Sequence, residues 1–349
     1  MRFKKISVAV LMMLALLGLG ANQFSLSADS GQQKDKPKPQ QSNPKKVEAD
    51  EQDDQPAIRL NADLVMLDVQ VIDTASNKPA MDLKQEQFEV LEDKAPQKIE
   101  VFGRDQVPVS LVFTIDTSGS MRSKLDTVIK ASVNLVKESR SDDEIAVIEF
   151  KDTPELLTEF TNDVNDIVDT LQGLVAGDRT AMLDALYLAA DYASKEGKNR
   201  RKAVIVVTDG LDKDSYYKFN DVVSHLRETD AQVYLIGFTN DLSKDGAWVF
   251  KKSEKENAEN LLNKLAAETG GKAFFPKELA EVHQIAQQIS TDLRTQYSIG
   301  YYSTNSKRDG TFRAIKVQVN SPNRRLVART RNGYTAPREK DSPQANSKP

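Results

Sequence analysis

The chain has 349 residues, 39% of them hydrophobic and 29% charged, which leaves room for one domain of ordinary size plus a smaller one with polar segments outside them. It contains no cysteine, so disulfides, thiolate metal sites and an acylated-cysteine lipid anchor are all excluded. A formal net charge of −4 gives no support to general nucleic-acid binding.

Arg2, Lys4 and Lys5 precede an apolar stretch from Ile6 to about Leu19, followed by small and polar residues. That layout predicts a secretory signal peptide over residues 1–28, and hence a secreted or periplasmic protein. Left uncleaved, the stretch would act as a membrane anchor, though it is short for a span of about 20 residues. Residues 1–28 hold three basic and no acidic side chains, so cleavage would move the formal charge from −4 to about −7. Residues 29–56 are Lys, Pro, Gln, Ser, Asp and Glu with almost nothing apolar, which predicts a flexible tether. Residues 338–349 have the same composition and predict a polar tail.

Between residues 57 and 106 the pattern is β. Val65, Leu67, Val69 and Val71 alternate with Met66, Asp68, Gln70 and Ile72, as in a half-buried strand. A second strand is expected near Phe88–Leu91 and a third over Gln97–Phe102. Three short strands are too few for an independent domain, and the missing ones are expected at the far end, in residues 294–337. There Gln296–Tyr302 is aromatic-rich, Asp309-Gly310 signals a turn, Ile315, Val317 and Val319 alternate with polar residues, and Leu326–Arg331 closes the set. Both flanks are therefore expected to combine into one β-sandwich around whatever lies between them. The alternative is two separate β-extensions.

From residue 107 to 293 strand and helix patterns alternate, which argues for parallel βαβ units. Strands are expected over Val109–Ile115, Glu144–Phe150, Ala203–Val207, Val233–Phe238 and Lys272–Phe275, with Leu156–Phe160 as an antiparallel edge. Helices are expected after Ser120, after Asn162 or Asp163, after Thr180, and over Asn220–Thr229, Glu254–Thr269 and Glu278–Leu293. Thr239–Ser253 reads as a loop or irregular helix holding Trp248, the one tryptophan.

The chemistry concentrates in three short stretches. The first apolar run stops in Asp116-Thr117-Ser118-Gly119-Ser120; Thr180 stands just before a helix; and Ala203–Val207 runs into Thr208-Asp209-Gly210. Asp-x-Ser-x-Ser offers hard oxygen ligands with no His or Cys nearby, a set suited to Mg²⁺, Mn²⁺ or Ca²⁺ and not to zinc or copper. Together these pieces resemble a von Willebrand factor type A domain with a complete metal-ion-dependent adhesion site, over roughly residues 107–292. The resemblance implies a doubly wound, mostly parallel α/β sheet of Rossmann-like form. It implies that Asp116, Ser118, Ser120, Thr180 and Asp209 converge on one divalent cation. Ser118, Ser120 and Thr180 would touch the metal, Asp116 and Asp209 would act through water, and a Glu or Asp of a partner protein would take the open position.

Other residues read more plainly. Asp212 and Asp214 are expected to turn and cap a loop and not to hold a second cation, and His225 and His283 are expected to be satisfied or exposed and not ligands. Asp178 and Arg179 flank Thr180, either tuning ligand choice or pairing with each other. An enzyme is the rival class. Asp116-Thr117-Ser118-Gly119 superficially resembles an aspartic-protease loop, but a hydrolase using Asp116 and Asp209 would need a second loop of that order within a β fold. Ser118 occupies the place of the second acid of a Mg²⁺-dependent phosphotransferase, and no Ser-His-Asp set or Walker loop occurs. A third class is an envelope scaffold that makes no use of metal.

Overall fold

The computed structural model describes residues 63–104, 107–177, 179–242 and 253–338. The expected signal peptide and tether, Asp178, Trp248 and the tail beyond Arg338 lie outside the described residues. In chain order the elements are β1 (Leu64–Asp73), β2 (Lys78–Pro79), β3 (Phe88–Glu92), β4 (Ala95–Gln97), β5 (Ile99–Gly103), β6 (Val109–Asp116), α1 (Leu125–Lys137), β7 (Glu144–Phe150) and β8 (Pro154–Thr161). They continue with α2 (Val164–Gln172), α3 (Met182–Glu196), β9 (Arg201–Thr208), α4 (Phe219–Glu228), β10 (Gln232–Gly237), α5 (Glu254–Glu268) and β11 (Lys272–Phe274). The last are α6 (Glu281–Arg294), β12 (Gln296–Tyr302), β13 (Phe312–Val319), β14 (Leu326–Arg329) and β15 (Gly333–Thr335). Among the described residues no helix is long and apolar enough to cross a membrane.

The central sheet has the order β11-β10-β9-β6-β7-β8, parallel except for the edge strand β8. Its inner strands are buried on both faces, which is why β6 and β9 read as nearly unbroken apolar runs. Alternate residues feed opposite layers. Leu111, Phe113 and Ile115 pack with Val128 and Val136 of α1, Ile167 of α2 and Ile285 and Ile289 of α6. Val112, Val204 and Val206 pack with Leu186 of α3, Val222 of α4 and Leu262 of α5. The fold is thus a doubly wound, Rossmann-like α/β sheet with helices on both faces. The chain leaves β6 toward β7 on one side and later returns to place β9 on the other. The strand order therefore reverses between β6 and β9, and the crevice outside their carboxyl ends is where such sheets bind ligands.

Strands from the two flanks pair with one another. One sheet has the order β14-β1-β12-β5, with β2 on β1; the other has the order β15-β13-β3-β4. Strand β1 runs antiparallel to β12 from Leu64 opposite Tyr302 to Gln70 opposite Gln296. The two sheets face each other across a core of Leu67, Val69, Tyr297 and Ile299 from one and Val90, Ile315 and Val317 from the other. This β-sandwich differs from the expected strands at two places. The third expected strand is broken at Lys98, so that β4 joins one sheet and β5 the other, the corner by which a strand changes sheets. The closing strand stops at Arg329, and a further short strand, β15, pairs with β13.

A buried polar cluster ties the sandwich together. Glu92 and Arg313 are both almost fully enclosed and lie 3.4 Å apart. The Glu92 carboxylate also accepts from the hydroxyls of Tyr301 at 2.8 Å, Tyr334 at 3.1 Å and Ser303 at 2.6 Å. Arg201, at the start of β9, joins the sandwich to the α/β layers: it donates to the Leu293 carbonyl at 2.6 Å and meets Asp68 at 3.2 Å.

Candidate functional site

Strand β6 delivers Asp116 to the crevice, and the local sequence stops the strand there. One oxygen of Asp116 accepts the Ser118 amide at 2.9 Å, a turn that short acidic side chains favour. A short 3-10 turn, Gly119–Met121, follows before α1 begins. The other Asp116 oxygen accepts the Thr208 hydroxyl at 2.7 Å, so the ends of β6 and β9 are joined directly through the acid. The Ser118 and Ser120 hydroxyls lie 3.1 Å apart. Asp116 and Ser118 are buried, whereas Ser120 is exposed, so the site opens to solvent on the Ser120 side.

Asp209, one residue beyond β9, is 2% exposed and turns the chain by accepting the Leu211 amide at 3.0 Å. Gly210 follows with φ +83, and a Cβ there would stand 3.1 Å from the Ala258 methyl. Glycine lets the chain leave the strand end without moving the acid. Thr180 is buried just ahead of α3, and its carbonyl accepts the amides of Lys213 and Asp214 at 3.1 and 3.2 Å. The loop before it is anchored by the Gly177 amide on the Thr117 carbonyl at 2.6 Å and by the Ala181 amide on the Lys151 carbonyl at 2.7 Å. Thr117 in turn donates its hydroxyl to Glu149 at 2.8 Å. Three loops, carrying Asp116 to Ser120, Thr180 and Asp209, are thus bound to one another by backbone hydrogen bonds and the Thr208–Asp116 contact.

Burial pushes the Asp116 carboxyl up to about 6, and the negative charge of Asp209 pushes the same way, against the hydrogen bonds from Ser118 and Thr208. Asp116 and Asp209 are neighbouring buried acids, and a cation would relieve the repulsion between them. The donors available are carboxylate and hydroxyl oxygens, which fit Mg²⁺, Mn²⁺ or Ca²⁺. Among the described residues no group of three or more His, Cys, Asp or Glu side chains could hold a metal, so any cation here must rely on the hydroxyls for part of its shell.

The remaining candidates fall outside this arrangement. Asp212 accepts the Leu183 amide at 3.2 Å and the Ser215 hydroxyl, capping α3. Arg179 lies 3.8 Å from Asp214. His225 stacks on Tyr187 and stands 3.5 Å from Asp191, while His283 is exposed. Thr208 belongs to no motif in the sequence, and its place beside Asp209 at the end of an apolar strand is the one signal of its contact with Asp116.

Residues 111–211 match the family model described as the von Willebrand factor type A domain. The α/β unit has the Rossmann-like fold of that class. Among solved structures the chain is similar to a von Willebrand factor type A protein from Catenulispora acidiphila, at 13% identity and TM-score 0.45, covering 73% of this chain and 74% of that one. It is also similar to the von Willebrand factor domain of a type V pilus tip protein from Porphyromonas gingivalis, at 15% identity and TM-score 0.42, covering 54% and 97%. A third is an aerotolerance-related membrane protein from Bacteroides fragilis, at 17% identity and TM-score 0.42, covering 53% and 98%. No curated protein matches the chain.

Proposed function

We propose that this is a secreted, divalent-cation-dependent protein-binding module and not an enzyme. Asp116, Ser118, Ser120, Thr180 and Asp209 would hold one Mg²⁺, with Mn²⁺ or Ca²⁺ as substitutes. With Ser118, Ser120 and Thr180 as direct ligands and Asp116 and Asp209 acting through water, the inner shell supplied by this chain is neutral, so an open position toward solvent attracts a carboxylate, here a Glu or Asp of a partner protein. The observation that carries this reading is the pair of buried acids, Asp116 and Asp209, beside the Ser118–Ser120 hydroxyl pair at the switch point of the sheet. The resemblance of residues 111–211 to an interaction domain supports it.

Thermal unfolding of the full chain in Mg²⁺ and in EDTA tests the proposal, with Asp209→Ala alongside. A ligand at one hundred times its Kd stabilises the folded state by about 2.7 kcal/mol. The wild type should therefore melt several degrees higher in Mg²⁺ and the variant should not respond. Identical melting in Mg²⁺ and EDTA would favour the scaffold that ignores metal.

A further inference from the structure

Two large apolar side chains stand further into solvent than any others among the described residues: Tyr216 is 82% exposed and Val175 is 72% exposed. Both lie on loops that border Thr180. Val175 belongs to the segment between α2 and α3, whose Gly177 amide is anchored on Thr117. Tyr216 belongs to the segment between β9 and α4, whose Lys213 and Asp214 amides donate to the Thr180 carbonyl. Arg179 and Asp214 join the two loops at 3.8 Å.

Tyr216 is held in place although it is exposed. Its amide and that of Tyr217 each donate to an Asp184 carboxylate oxygen at 2.9 Å, and Asp184 sits in the first turn of α3. The Tyr217 ring stacks on Tyr187 at 4.0 Å between centroids, and Tyr187 stacks on His225 at 3.8 Å. Tyr216 meets this column edge-on, 5.3 Å from Tyr217. A ring fixed by carboxylate and stacking contacts, yet left in water, loses little freedom when covered; such aromatics carry much of the energy of protein interfaces.

Resting on the metal-centred reading above, we infer that the partner's acidic residue is flanked by large apolar side chains, which cover Tyr216 and Val175 while the carboxylate reaches the metal. The occupant is a protein segment of the kind apolar-Glu-apolar or apolar-Asp-apolar. A lone acidic residue in a polar segment would leave both exposed side chains uncovered and would bind weakly.

The probes are synthetic peptides with a central Glu flanked on both sides by Leu and Phe, or by Ser, followed by fluorescence anisotropy with the full chain in Mg²⁺ and in EDTA. The Leu/Phe peptide should bind in Mg²⁺ at least about tenfold more tightly than the Ser peptide, the factor expected when one interface anchor is covered. Tyr216→Ser combined with Val175→Ser should erase that preference while leaving the Mg²⁺ affinity, measured by calorimetry, unchanged. Equal binding of the two peptides would overturn the inference, as would a preference that survives in the variant. So would Mg²⁺ binding without capture of either peptide. A dimer of the full chain that disappears in the variant would assign this rim to a second copy and also overturn it. Failure of Mg²⁺ to bind the wild type is a different result, because it removes the metal-centred reading itself.

Discussion

Replacing Asp116 by Asn probes the electrostatics of the site without metal. Burial and the Asp209 charge hold the Asp116 carboxyl at about 6, against 3.8 for the free side chain. The folded protein therefore binds this proton more tightly than the unfolded chain does. The stabilisation from protonation is fully present below pH 3.8 and is lost as pH rises through about 6. The gap is worth roughly 3 kcal/mol at about 1.4 kcal/mol per pH unit. Metal-free wild type should thus lose about 2.4 kcal/mol relative to Asp116→Asn between pH 4 and pH 7, because Asn is neutral throughout and can still accept the Ser118 amide. Urea unfolding of both proteins at a series of pH values, after removal of divalent ions, measures the difference and cancels carboxylates common to both. A pH-independent difference would refute the argument that Asp116 is destabilised by burial and by Asp209. Saturating Mg²⁺ should reverse the order at pH 7, because the ion neutralises the charge that costs the wild type its stability.

Thr208→Val removes the hydroxyl that donates to Asp116 at 2.7 Å and should destabilise the protein by about 1–3 kcal/mol in urea unfolding, while weakening Mg²⁺ affinity by loosening the acid. Arg313→Leu leaves Glu92 buried without its cationic neighbour and should cost about 3–5 kcal/mol; adding Glu92→Gln should return most of it, since Gln still accepts hydroxyl hydrogen bonds without a charge. Calorimetric Mg²⁺ affinity of that double variant should match the wild type, since the Glu92 cluster belongs to the sandwich and not to the crevice.

The α/β unit was legible because its strands are buried on both faces and its helices on one, which imposes continuous apolar runs and 3.6-residue periodicity on the sequence. Asp116, Ser118, Ser120, Thr180 and Asp209 were legible as strand-end and helix-start residues of one oxygen-rich kind, and the structure sets them on loops bordering one crevice. Which sheet a short strand joins was not legible. Gln97–Phe102 alternates like one strand, and only the two-sheet geometry explains the break at Lys98. Thr208 escaped notice because a hydroxyl ending an apolar strand has no periodic signature; its importance lies in reaching an acid 92 residues earlier. The pairing of Glu92 with Arg313 spans 221 residues, and composition alone gives no reason to bring them together.

On the proposed reading, Asp116 and its neighbours hold a divalent cation. Titration calorimetry of the full chain with Mg²⁺, beside Asp116→Ala, tests it most directly. Binding should be saturable and one-to-one in the wild type and absent in the variant. No heat of binding at millimolar Mg²⁺, or equal binding by the Asp116→Ala protein, would contradict it.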